Sequence, residues 1–319
     1  MLLRIINQTL QYFRLSLVNQ IYKLVMGILL CTLLITTQGC SSRNANNKDV
    51  MPTSQLIIVE PLPINYKSEL AIARLSEVIY RVEITEQQRA QLFYDRGVLF
   101  DSVGLLSLAR LDFSRALQLD PKLVDAYNFL GIHFTQLSEF SQAYDKFDSA
   151  IELNPKHEYA YLNRGIALYY GDRVELAIAD FKTFHHEQNN DPYRLLWLFL
   201  AEYQLDQENA FVNLEDRQHW VDDNVWAKQI ISLYLGDTTQ EAFLGQLSVG
   251  VKSRKALTDR LCEAYFYLAK YNQRLGNTKT AENFFKLSLS TNVYEFVEHR
   301  YAKLELNLMR TKVASSSGS

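Results

Sequence analysis

Hydrophobic and polar positions divide the chain into three zones. Residues 24–35 (LVMGILLCTLLI) are almost entirely apolar, residues 43–63 are rich in Asn, Lys, Ser and Pro, and the rest mixes apolar with polar residues throughout. The chain has only 6 prolines and 12 glycines among its 319 residues, which is few for a β-protein with its many tight turns. The third zone is therefore expected to consist of α-helices.

The pattern in the third zone repeats every 34 residues. Residues 92–121, 126–155 and 160–184 align without a gap when the sequence is stepped by this distance. An aromatic residue, a glycine, an alanine, a phenylalanine and a proline recur in register. The columns are Phe93, Tyr127, Tyr161; Gly97, Gly131, Gly165; Ala109, Ala143, Ala177; Phe113, Phe147, Phe181; Pro121, Pro155.

Each column has a physical reason. Glycine in the first helix of a unit leaves room where the second helix crosses, because packed helix axes lie only about 8–10 Å apart. Alanine does the same from the second helix, and the aromatic side chains fill the space between units, each burying about 150–250 Å². Proline ends the second helix because it lacks an amide hydrogen and restricts the residue before it. The columns therefore indicate close packing between paired helices.

These columns resemble the tetratricopeptide repeat, a helix–turn–helix unit of 34 residues. The resemblance implies an all-α helical solenoid of stacked repeats with capping helices. Clear repeats are expected at about 90–123, 124–157 and 158–191, diverged helices at 192–260 and a repeat-like unit at 262–293.

The sequence also predicts how the helical body begins and ends. The body is expected to span residues 66–310, with a helix over residues 66–80 covering the first repeat. Residues 294–310 are expected to form a terminal helix that closes the open end of the stack, as solenoids require. Residues 311–319 read as a small polar tail.

The apolar run at residues 24–35 is typical of a signal peptide. Its 12 residues follow Lys23 and are too few to cross a hydrocarbon core, which needs about 20. The stretch ahead of the run is long, which leaves a later start codon open. An uncleaved anchor helix is the alternative, and it would also hold the body at a membrane.

Gly39-Cys40-Ser41 resembles the lipobox of bacterial lipoproteins. The resemblance implies that residues 1–39 are removed and that Cys40 is acylated, each methylene buried in the bilayer contributing roughly 0.8 kcal/mol. The non-acidic residue after the cysteine implies sorting to the outer membrane, facing the periplasm. Residues 40–65 would then form a lipidated, flexible tether.

The charge balance argues against nucleic acid as a partner. The chain has 33 basic and 36 acidic residues, a net charge of −3, and removal of residues 1–39 would take away three basic residues and no acidic one. A protein that binds phosphate groups needs a concentrated basic face, and the sequence has no long run of Lys and Arg.

Few residues suggest chemistry. The sequence lacks the common motifs for phosphate binding, nucleophilic catalysis and zinc binding. Cys262 lies in a helical stretch and is expected to be a buried small hydrophobic residue rather than a reactive thiol. His185 and His186 are adjacent, which favours a solvated loop over a metal site. We therefore expect no catalytic residue, no metal and no cofactor.

By the family pattern, the first helix of each repeat lines a concave groove for a partner. The expected groove residues are Tyr94, Val98, Asp101, Asn128, Ile132, Thr135, Leu162, Ile166, Tyr169 and Tyr170. This mixture of aromatic, apolar and amide groups suits a peptide or a helix better than a metabolite. Alternatively, the tyrosines pack against a later helix of the same chain.

Three longer strings point to a narrower resemblance. They are AQLFYDRGVLFDSVGLLSLARLDFSRAL at residues 90–117, LNRGIALYYGDR at residues 162–173 and FVEHRYAKLEL at residues 296–306. Together they resemble a family of outer-membrane repeat lipoproteins of enteric and related bacteria. The resemblance implies a homodimeric, non-catalytic scaffold that brings murein endopeptidases together with a tail-specific periplasmic protease and so influences peptidoglycan growth and cell division.

Two other classes of function stay open. A pilotin-like or outer-membrane assembly lipoprotein would share the lipid anchor and the helical repeats, but it would bind a secretin or a barrel protein. An enzyme would cut murein without added partners.

Overall fold

The computed structural model of the chain describes residues 56–81 and 83–317. Within these residues the chain is α-helical and forms no strand, so the predicted all-α fold is confirmed. Cys40 and the predicted signal peptide lie outside the described residues.

Fourteen α-helices follow one another in the described part of the chain. They are α1 (Tyr66–Val78), α2 (Glu86–Ser102), α3 (Leu106–Leu119), α4 (Val124–Gln136), α5 (Phe140–Leu153), α6 (Glu158–Tyr170), α7 (Val174–Glu187), α8 (Pro192–Leu205), α9 (Gln207–Arg217), α10 (Lys228–Leu235), α11 (Gln240–Gln246), α12 (Arg254–Arg274), α13 (Thr278–Leu289) and α14 (Val297–Ser317).

Successive helices pair as hairpins that stack side by side. α2 pairs with α3, α4 with α5, α6 with α7 and α12 with α13, and each of the first three hairpins also packs on the helix that follows it. Helices joined by such short connections lie antiparallel. The arrangement is a tetratricopeptide-type solenoid, with α1 packed on α2 at its beginning.

The repeated glycine lies against the repeated phenylalanine of its own hairpin. A methyl carbon on Gly131 would lie 2.6 Å from the ring of Phe147, and the equivalent distances at Gly97 and Gly165 are 2.7 and 2.8 Å. Real carbon atoms do not approach so closely, because dispersion attraction turns to repulsion well before that distance. The first helix can therefore carry no side chain at this position while the ring occupies it.

Local capping sets where several helices begin. At the start of α2, the side chain of Thr85 accepts from the amide of Gln88 while the Gln88 side chain accepts from the amide of Thr85. At the start of α8, the carboxylate of Asp191 accepts from two amides and Pro192 occupies the first turn. Both arrangements satisfy amides that a helix start leaves unpaired.

The terminal helix is longer than predicted and contacts more of the chain. The sequence predicts a helix over residues 294–310 at the open end of the stack, followed by a polar tail. In the structure, α14 runs from Val297 to Ser317, packs on α13 and α12, and reaches back to α4 in the second hairpin. The predicted terminal helix thus covers the last hairpin, whereas the prediction of a tail from residue 311 is wrong because residues 311–317 are helical. Its further contacts with the first helices of several hairpins were not predicted.

The beginning of the described chain lies against α12. The amide of Ile57 donates to the hydroxyl oxygen of Tyr265 over 3.1 Å, and that hydroxyl donates to the carbonyl oxygen of Ile57. Further along, the amide of Leu62 donates to the carbonyl oxygen of Thr291 over 3.3 Å. The last part of the predicted tether thus lies along the body, held by the hydroxyl of Tyr265 and by one backbone hydrogen bond.

Candidate functional site

The predicted groove residues fall into two groups in the structure. Tyr94, Val98 and Tyr170 are half-buried, whereas Asp101, Asn128, Ile132, Thr135, Leu162, Ile166 and Tyr169 are buried. Several of the buried residues bond within the repeats: the amide of Asn163 donates to the side-chain oxygen of Asn128 over 3.0 Å, for example. A partner would therefore reach few of these side chains directly, and the groove remains a prediction.

Tyr170 contacts the chain's own terminal helix, and Tyr169 contacts α12. The ring of Tyr170 stacks on that of Tyr301 at 5.6 Å, and its hydroxyl donates to Glu305 over 2.9 Å. The hydroxyl of Tyr169 accepts from the ammonium of Lys270 over 2.9 Å. The alternative that the tyrosines pack against a later helix describes this arrangement.

A buried ion pair lies at the centre of the contact. The ammonium of Lys270 on α12 and the carboxylate of Glu305 on α14 are 2.6 Å apart, and both side chains are less than a tenth exposed. Burial alone would raise the pKa of Glu305, but the charge of Lys270 and hydrogen bonds from Lys270, Gln273 and Tyr170 hold that pKa below its ordinary value. The pair is therefore charged on both sides.

A second ion pair ties α14 to the first two hairpins. The carboxylate of Asp101, at the end of α2, accepts from the guanidinium of Arg300 through one oxygen. Its other oxygen lies 2.7 Å from Nε2 of His133 on α4. The guanidinium of Arg300 also lies over the ring of Phe129 on α4, and Trp197 on α8 contacts the ring of Tyr301. Side chains of α2, α4, α6, α8 and α12 thus contact α14.

A second set of repeated polar residues, not predicted from the sequence, forms ion pairs within two of the hairpins. Arg96 pairs with Asp112 through two contacts of 2.6 and 2.8 Å, and Arg164 pairs with Asp180 through two of 2.8 and 2.7 Å. Each arginine directly precedes the repeated glycine, and each aspartate directly precedes the repeated phenylalanine. This recurrence across two repeat lengths was the signal that could have predicted both pairs.

Arg164 also joins neighbouring hairpins, because its guanidinium donates to Asp148 on α5 over 2.7 Å. The second hairpin carries Leu130 and Lys146 where the other two have arginine and aspartate. Its stability therefore depends more on apolar packing and on the ion pair that Arg164 contributes from the next repeat.

Two cavities flank α14. One, of about 500 Å³, lies beside Tyr170 and is lined by side chains of both charges, among them Lys270, Arg274 and Glu305. The other, of about 440 Å³, lies between the start of α3, the end of α4 and α14. We call the second cavity the basic cleft; its cationic lining residues are Arg110, Arg300, Lys303 and Arg310.

Glu263 and Glu298 form an acidic pair in the interior. The hydroxyl of Tyr193 donates to Glu263 over 2.5 Å, and the indole of Trp226 donates to it over 3.2 Å. Burial raises the pKa of both carboxyl groups, and the charge of Glu263 raises that of Glu298 further. The pair therefore resists carrying two charges at once.

The remaining candidates for chemistry are placed as follows. Cys262 is fully buried, as predicted, and burial raises the pKa of its thiol to about 12. His185 and His186 lie in the last turn of α7, so the expectation of a loop is wrong.

In the described part of the chain, no group of three His, Cys, Asp or Glu residues could hold a metal ion. Among the same residues, no helix has both the length and the apolar character of a membrane span.

Solved structures with the same kind of repeat are similar to this chain. A tetratricopeptide repeat protein from Parabacteroides merdae is 15% identical over 77% of this chain and 78% of its own, with a TM-score of 0.47. PilF from Pseudomonas aeruginosa is 16% identical over 69% and 99%, with a TM-score of 0.43. YrrB, described as a tetratricopeptide repeat protein with an unusual peptide-binding site, is 15% identical over 72% and 97%, with a TM-score of 0.38. No family model matches the chain.

Proposed function

We propose that this chain is a lipid-anchored, non-catalytic scaffold of the outer membrane that binds murein endopeptidases and a tail-specific periplasmic protease. The observation that carries the proposal is the stack of helix pairs, whose first helices and α14 leave two open clefts. Repeat solenoids use such surfaces to bind other proteins. The choice of partners rests on the sequence strings that resemble the lipoprotein NlpI, which also imply a homodimer.

A scaffold needs no catalytic group of its own, because it acts through concentration. Two proteins held on one platform meet at an effective concentration of about millimolar. A protease brought to an endopeptidase in this way would degrade it faster, and the level of endopeptidase would in turn set how quickly peptidoglycan grows. The hydrolysis belongs to the partners.

The lipid anchor is tested with Cys40→Ser in the full chain. We expect the parent protein to fractionate with the outer membrane and to incorporate an alkyne-labelled fatty acid, and the variant to do neither. An unmodified Cys40 in protein isolated from cells would overturn the anchor. It would leave the proposed protein binding untouched.

The scaffold is tested by chemical crosslinking of the membrane-held chain, followed by mass spectrometry of what is captured. We expect an endopeptidase and a processing protease, and faster endopeptidase turnover when the purified chain is added to both. Capture of a secretin, with no change in turnover, would favour the pilotin-like alternative. Murein cleavage by the chain alone would replace the proposal with an enzyme.

A further inference from the structure

The basic cleft is lined by cations on several sides and by no carboxylate. Arg110 comes from α3, and Arg300, Lys303 and Arg310 come from α14. The other lining residues are neutral or apolar apart from His299. In a chain whose net charge is −3, this is a local concentration of positive charge.

Three of the four cations have no ionic partner among the described residues. Arg300 pairs with Asp101, but no carboxylate of the described chain lies within ion-pair distance of Arg110, Lys303 or Arg310. Arg110 makes only a weak hydrogen bond of 3.3 Å to the hydroxyl of Ser107. The three charges are therefore free to meet an anion from outside.

A histidine lies beside these cations, since His299 lines the same cleft. Burial is the main cause that lowers the pKa of its imidazole to about 4; a hydrogen bond with the carbonyl oxygen of Leu289 opposes the shift, and the charges of Arg300 and Lys303 favour it. The imidazole is neutral at physiological pH, so the cleft's charge comes from its arginines and lysine alone.

The rest of the lining suits a peptide. Leu106, Leu137 and Leu289 supply apolar surface. The side-chain amides of Gln136, Asn292 and Asn307 add neutral polar groups to the same lining.

We propose that the basic cleft binds an acidic peptide segment of a protein partner, in which carboxylates alternate with apolar side chains. The carboxylates would pair with Arg110, Lys303 and Arg310, and the apolar side chains would contact the leucines. The cleft's volume of about 440 Å³ is that of a compact pocket and not of a long stripe, which disfavours a nucleic acid backbone. The inference rests on the proposed scaffold function and specifies the chemistry of one partner.

The test measures binding of a fluorescein-labelled peptide of sequence Glu-Leu-Asp-Leu-Glu-Leu to the full chain in detergent, by fluorescence anisotropy. We expect saturable binding that weakens as salt rises, because exposed ionic contacts are screened. The triple variant Arg110→Gln, Lys303→Gln, Arg310→Gln should weaken binding at least tenfold. The control variant Lys122→Gln, Lys156→Gln, Lys252→Gln removes three exposed charges away from the cleft and should bind like the parent.

Three outcomes would overturn the proposal. It fails if the peptide does not bind, if the control variant weakens binding as much as the triple variant, or if a labelled single-stranded DNA binds as tightly as the peptide. If the triple variant does not fold, by circular dichroism, Lys303→Glu alone is used and should weaken binding several-fold. A triple variant that loses the peptide but still captures endopeptidase and protease would leave the scaffold intact and show that those two partners bind elsewhere.

Discussion

The hydroxyl of Tyr170 donates a hydrogen bond of 2.9 Å to the carboxylate of Glu305, although 135 positions separate them in the chain. The same carboxylate holds the buried ammonium of Lys270. One acidic residue of the terminal helix therefore satisfies polar groups from the third hairpin and from α12. Without it, the buried ammonium of Lys270 would have no opposite charge beside it, and the hydroxyl of Tyr170 would lose its acceptor.

We expect Glu305→Gln to destabilise the protein by about 3–5 kcal/mol, because it leaves a buried lysine without its counter-charge. The measurement is the free energy of unfolding in urea. The matched control is Lys255→Gln, which breaks an exposed pair with Asp259 and should change stability by less than about 1 kcal/mol. The double variant Lys270→Met, Glu305→Leu should recover most of the loss; no recovery would show that the charge was not the cause.

We expect Gly131→Ala to destabilise the protein by about 1–3 kcal/mol, because the new methyl group would lie 2.6 Å from the ring of Phe147. Gly245→Ala provides the control. Gly245 is also helical, and a methyl group there would meet nothing within 4 Å. That change should stabilise the protein by about 0.5–1 kcal/mol, since alanine has a higher helix propensity than glycine. Thermal melting distinguishes the two, and equal effects would contradict the packing argument.

We expect stability to fall as pH rises from about 4.5, the ordinary glutamate pKa, towards the raised pKa values of Glu263 and Glu298. In this window the folded chain keeps protons that the unfolded chain has already released, so stability is fully present at lower pH and is lost as pH rises. Glu298→Gln imitates the protonated group.

That variant should be more stable than the parent at pH 8, on the order of 1–2 kcal/mol, and nearly equal at pH 5. Urea unfolding across the pH range measures the slope. The control is Glu152→Gln at an exposed glutamate, which should leave the slope unchanged. A steeper slope in Glu298→Gln would contradict the assignment.

We expect Tyr265→Phe to release the extended segment around Ile57 while leaving the helical body folded. The hydroxyl makes both hydrogen bonds to Ile57, whereas the ring stacks on Phe284 at 5.9 Å and would remain. Hydrogen exchange should become faster in residues 56–62 and stay unchanged in α12. Uniformly faster exchange would mean that the whole body had been loosened.

The repeated columns were sufficient to predict the first three hairpins. Gly131 and Phe147 belong to periodic columns because the same close contact between glycine and phenylalanine recurs in each hairpin. A residue requirement that recurs every 34 positions can be recognised in a single sequence. The hairpin of α12 and α13 was also found, since Ala281 and Phe285 keep the spacing of the earlier repeats.

The placement of α14 could not be predicted in the same way. Its contacts join Arg300 to Asp101 and Glu305 to Lys270, and no equivalent pair recurs at the repeat spacing among the described residues. A contact made once between distant residues leaves no periodic signal. The predicted groove residues were chosen from the repeat pattern alone, so the helix that packs on Tyr170 was not taken into account.

The route of α14 bears on how the protein unfolds. In an ordinary solenoid each repeat contacts only its neighbours. The terminal repeats therefore unfold first, and the total stability is approximately the sum of the stabilities of the repeats and of the interfaces between them. Here one helix bonds to Asp101 in the first hairpin, to Tyr170 in the third and to Lys270 in the last. Unfolding of any one hairpin would leave side chains of α14 without their partners. The array should therefore unfold as a single cooperative unit and not progressively from one end.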